Sequence, residues 1–74
     1  MNNNYNIFLD YEEDSLNIVK IPSKNPVQTI EGKYGIEIKK DINGNTVAIV
    51  IPEPDILFGV PIEHIESFLI SNSL

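Results

Sequence analysis

The chain has 74 residues and no cysteine, and its 11 acidic residues outnumber five cations, all of them lysine (Lys20, Lys24, Lys33, Lys39 and Lys40), giving a net charge of −6. That length suits one domain, residues 1–74. The composition excludes disulfides and thiolate metal sites, and it fits poorly with nucleic-acid phosphates or anionic membrane surfaces.

No apolar run approaches the roughly 20 residues of a membrane span. The start, Met1-Asn2-Asn3-Asn4, is polar and unlike a signal peptide. The expected setting is cytoplasmic, with no cofactor, and residues 1–4 and 71–74 are expected to fray.

Tyr5 to Leu9 combines β-favouring residues with partial alternation and predicts a first strand. Asp10-Tyr11-Glu12-Glu13-Asp14-Ser15 is an acidic connection, and Leu16 to Ile21 predicts a second strand paired with the first as a hairpin. Pro22 to Pro26 is turn material, because two prolines remove backbone donors and disfavour helix before them. Val27 to Ile30 follows as a short edge strand, then a turn over Glu31 to Gly35.

Ile36 to Lys40 alternates apolar and charged residues. Thr46 to Ile51 is apolar on both faces, which predicts a strand that is central or covered on its second side. Between them Asn43-Gly44 marks a tight hairpin, since both residues tolerate positive φ. Pro52-Glu53-Pro54 ends the sheet, and Asp55 to Phe58 is expected to form one helical turn closed by Gly59. Pro61 suits the first position of a helix in which Ile62, Ile65, Phe68 and Leu69 recur at helical spacing, with Glu63 and Glu66 outward.

The expected fold is α+β: an antiparallel β-meander of about five strands with one short C-terminal α-helix. Its expected core is Ile7, Leu9, Leu16, Ile18, Ile36, Ile38, Val47, Ile49, Ile51, Ile65 and Phe68.

Few residues suggest chemistry. His64 is the sole histidine, so it lacks the partners a zinc site or an oriented general base requires. Asp41-Ile42-Asn43-Gly44-Asn45 has oxygen side chains at alternate positions, as calcium loops do. However, Thr46 stands where a glycine is needed and Pro52 where the closing glutamate would be. Gly32 and Gly35 precede no predicted helix, and no serine lies in a nucleophile elbow. Tyr5, Tyr11 and Tyr34 are expected to be core or half-buried strand residues, with one exposed interface anchor among them as the alternative.

The densest charge, Asp10, Glu12, Glu13 and Asp14 with Tyr11 among them, is the candidate contact surface for a basic protein partner. The expected function is a non-enzymatic protein-binding module. The alternatives are a homodimer formed through the edge of Val27 to Ile30 and the two-sided strand Thr46 to Ile51, and a small divalent-cation-binding domain.

Four stretches carry a family resemblance: Tyr11-Glu12-Glu13-Asp14-Ser15-Leu16-Asn17-Ile18, Gly35-Ile36-Glu37-Ile38, Asp41-Ile42-Asn43-Gly44 and Val47-Ala48-Ile49-Val50-Ile51. They resemble the small bacterial and archaeal family called domain of unknown function 2283. Its pattern runs from an acidic loop into an Asp-x-Leu-x-Ile strand, then through a strand pair joined by an Asp-x-x-Gly turn. Ala48 departs from a glycine of that pattern, and Pro52 and the Pro61 helix lie outside it. The resemblance covers roughly residues 9–51. It implies a small α+β domain and, because such proteins are often encoded beside small toxin-like proteins, an antitoxin-like or inhibitor role.

Overall fold

The computed structural model describes residues 4–22 and 25–71. Five strands form where β-favouring residues run between turns: β1 (Tyr5–Asp10), β2 (Ser15–Lys20), β3 (Gln28–Glu31), β4 (Glu37–Lys40) and β5 (Thr46–Pro52). Two helices follow, α1 (Pro54–Phe58) and α2 (Ile62–Ser71). All pairings are antiparallel, and the architecture is α+β. The strand order is β1-β2-β5-β4-β3. Each half is therefore a local meander, while β5 enters between the halves and becomes central. Its apolar residues on both faces suit that position.

Register sets the faces. Ile7 lies opposite Ile18, Ile18 opposite Ile49, Ile49 opposite Ile38 and Ile38 opposite Ile30. A belt of five isoleucines thus crosses the whole sheet on one face. Beside it run Leu9, Leu16 and Ile51. The opposite face carries Phe8, Asn17, Val50, Glu37 and Glu31 in a matching line.

The helices cover the isoleucine face at its Leu9 end, where α2 meets β1 at Ile7 and Leu9. Ile65 is buried there, with Ile62 and Leu69 half-buried at helical spacing. Pro54 opens α1 fully buried, and Gly59 closes it in the left-handed region, φ 70°, with its N–H donating to Asp55 and Ile56 carbonyls. The long helix begins at Ile62, one residue after Pro61.

The core is thinner than the sequence suggests. Leu16, Val47 and Ile65 are its buried apolar residues among those described. Ile7 is 46% exposed and Phe68 65% exposed, which corrects both as core residues. Ile7 sits on an edge strand with no neighbour beyond it, and Phe68 lies outside the line of Ile62, Ile65 and Leu69. Thr46–Pro52 is flanked on both sides by β2 and β4, so its backbone edges are occupied and it cannot pair with another chain. Ser23 and Lys24 of the expected turn, and residues 1–3 and 72–74 of the expected frayed ends, lie outside the described residues.

Two turns are shaped by specific backbone demands. In the β4–β5 hairpin Gly44 takes φ 84°. The Asp41 carboxylate is buried inside this turn and accepts the Asn43 and Asn45 N–H groups at 2.9 Å each. The calcium-like spacing is thus a turn scaffold. At Lys33–Gly35, Gly35 takes φ 76°, and a Cβ there would lie 3.3 Å from Cγ of Pro52. Gly35→Ala is expected to destabilise by about 1–2 kcal/mol through that φ and that approach, read as a lower denaturation midpoint. Leu16→Ala should cost about 3 kcal/mol. In a domain of this size that is comparable to the total, on the order of a few kcal/mol, so the variant should lose its cooperative unfolding transition.

Candidate functional site

The acidic connection between β1 and β2 is four residues long, Tyr11 to Asp14. Asp10 organises it: its Oδ1 accepts the backbone N–H groups of Glu12 at 3.1 Å and Glu13 at 3.2 Å. Tyr11 donates its hydroxyl to Oε2 of Glu66 at 2.7 Å and so ties the turn to α2. Asp14 reverses the chain at φ 52°, and its carbonyl accepts the Glu53 N–H at 2.7 Å. Glu53 is itself left-handed, φ 46°. These two residues stand where β2 and β5 diverge, just past the Ser15–Pro52 pair.

Three of the five residues expected to meet a partner therefore hold the turn in place: Asp10, Tyr11 and Asp14. The side chains of Glu12 and Glu13 project with no hydrogen-bonding or ionic partner among the described residues.

Glu13 borders a depression of about 350 Å³ on the sheet face that carries no helix. Asp10, Ser15, Asn17, Val50 and Pro52 line it from one side, with Gly35, Glu37 and Lys39 on the other. Asn17 donates from Nδ2 to Oγ of Ser15 at 3.0 Å, and Lys39 Nζ lies 3.7 Å from Oε1 of Glu37. Glu31 stands directly across from Glu37 in the β3–β4 ladder. Like charges in that position are unfavourable, and one lysine beside them leaves the face negative. Just outside, Tyr34 precedes Gly35 at φ 61° and is 76% exposed. A bulky residue in that region is strained backbone.

Such a surface attracts an ammonium or guanidinium group. Glu31, Glu37 and Lys39 were not singled out by sequence reasoning. The outward alternation of Glu37 and Lys39 was visible, but only the β3–β4 register puts Glu31 against Glu37.

Other sequence-level candidates lie elsewhere. His64 is exposed on α2. All three tyrosines are exposed, which corrects the expectation of core or half-buried strand positions: Tyr5 is on an edge strand, and Tyr11 and Tyr34 are in turns. No group of three or more His, Cys, Asp or Glu among the described residues is arranged to hold a metal ion. No helix among them is long and apolar enough to cross a membrane. No family model matches the chain, and neither a curated protein nor a solved structure matches it.

The Tyr11–Glu66 tie has a titration signature. The phenol pKa is raised above its usual 10.0, first by the hydrogen bond to Glu66, then by desolvation and the negative charges of Glu66 and Glu63. A pKa raised on folding means that the contribution is present below the unfolded value and lost as pH climbs through the folded one. Glu66→Gln should bring the Tyr11 pKa down toward 10.0, with a smaller drop for Glu63→Gln. Both are measurable by NMR titration of the Tyr11 ring carbon.

Proposed function

We propose that this protein is a non-enzymatic protein-binding module that receives a basic partner on the helix-free face of its sheet. The observation that carries the reading is the Glu31–Glu37 pair, two residues directly opposed across the β3–β4 ladder, of which Glu37 borders the depression together with Asp10 and Glu13. Folding alone gains nothing from opposed like charges, whereas a lysine or arginine arriving between them relieves the repulsion. The exposed, strained Tyr34 next to Gly35 supplies an aromatic anchor of the kind that concentrates binding energy.

The shallow setting argues against acid–base catalysis, which needs two carboxyl groups in unequal, water-poor environments. The antitoxin-like or inhibitor form of this reading, acting in the cytoplasm, rests on the resemblance to the domain of unknown function 2283 and on composition.

The test is capture of partners from native lysate by the full chain at low and high salt. A basic protein should be retained at low salt and released as salt rises. Glu13→Gln with Glu31→Gln and Glu37→Gln should abolish retention, whereas Glu63→Gln on α2 should leave it intact. Equal loss from Glu63→Gln would reduce the effect to net charge, and no retention at low salt would remove the reading altogether.

A further inference from the structure

The sheet has two edges, and they are not alike. β3 is four residues long, follows Pro26, and carries Glu31 at one end. β1 is six residues long and holds Ile7, Phe8 and Leu9, with no proline or lysine. Natural edge strands are commonly blunted by shortness, proline or charge. β1 has none of these over its apolar middle.

The direction of its backbone groups follows from one hydrogen bond. The Ile21 N–H donates to the Asn4 carbonyl at 2.7 Å, and these residues continue the β1–β2 register beyond Tyr5–Lys20. In an antiparallel ladder, bonded and non-bonded pairs alternate. Asn6 and Phe8 therefore turn their N–H and C=O groups toward β2, whereas Tyr5, Ile7 and Leu9 turn theirs to the free edge. Along that edge, between β1 and α2, runs an open groove of about 290 Å³ bordered by Ile7, Phe8, Leu9, Leu69 and Ile70, with the hydrogen-bonded Tyr11–Glu66 pair at its polar end.

We infer that this edge is a self-association seam: two copies of the chain pair their β1 strands antiparallel about a two-fold axis at Ile7, making one ten-stranded sheet. The register is self-complementary. Ile7 meets Ile7 of the second copy, and Tyr5 meets its Leu9, so all three outward-facing residues find hydrogen-bonding partners. Asn6 meets Phe8, and Asn4 meets Asp10, so no two charged residues oppose each other even though each copy carries −6. On the helix side, Ile7 and Leu9 of the second copy enter the groove beside Leu69 and Ile70.

The seam does not depend on the acidic face.

Sedimentation equilibrium of the full chain over a concentration series, with amide hydrogen exchange by NMR, tests it. The expected mass is twice 8.3 kDa, and the Tyr5, Ile7 and Leu9 amides should be protected, losing protection on dilution. Ile7→Pro deletes an outward N–H together with the isoleucine side chain, breaks no hydrogen bond of the β1–β2 ladder, and should weaken the dimer by roughly thirtyfold or more. Ile7→Val should keep it. The Glu13, Glu31 and Glu37 variants should dimerise normally, and Ile7→Pro should still capture a basic partner, so the two proposals fail separately. A monomer at every concentration overturns the seam. So does a dimer whose Tyr5, Ile7 and Leu9 amides exchange at solvent-exposed rates.

Discussion

Cross-strand register is the constraint on which this protein depends. Ile7, Ile18, Ile49, Ile38 and Ile30 stand side by side across five strands, and a slip of one residue in any strand would send its isoleucine to the opposite face. Two tight hairpins protect that register, one organised by Asp10 and the other by Asp41 and Gly44. Each aspartate lends its carboxylate to the backbone N–H groups of its own turn. Part of the chain's acidity is therefore structural.

The belt has one covering layer, and a small one. Helix α2 packs against β1 at Ile7 and Leu9, and burial is concentrated in Leu16, Val47, Ile65 and Pro54. A chain this short buries only about 60% of the surface its unfolded form exposes, which leaves much of the sheet facing water. Its two free surfaces differ in character. The helix-free face offers carboxylates, whereas the free edge of β1 offers apolar side chains and unpaired backbone. A charged face steers encounter with an oppositely charged partner; an unblunted strand edge recruits another strand. Both can operate in one molecule because they lie on different elements.

Backbone strain marks where the chain changes direction. Asp14 and Glu53 adopt left-handed conformations next to each other and share a hydrogen bond as β2 and β5 separate. That strain fits a structural role, because the two reversals let β5 end and α1 begin over the core. Tyr34 is different, since it is left-handed yet mostly exposed.

Local pattern determined most of the secondary structure. β-favouring runs between turn residues located all five strands to within one residue at each end, Asn43-Gly44 located the central hairpin, Gly59 located the end of α1, and apolar residues on both sides of Thr46–Ile51 marked it as central or covered on its second side. These follow from steric and hydrophobic rules acting within a few residues. Tertiary structure alone decided what depends on distant partners. Placing β5 between β2 and β4 made β3 the second edge of the sheet, the β3–β4 register set Glu31 against Glu37, and the position of α2 engaged Tyr11 while leaving Phe68 outside. A charge run reads the same in sequence whether its carboxylates cap a turn or meet solvent. Pairing geometry made the difference here, assigning Asp10 to the turn and leaving Glu13 at the rim of the open face.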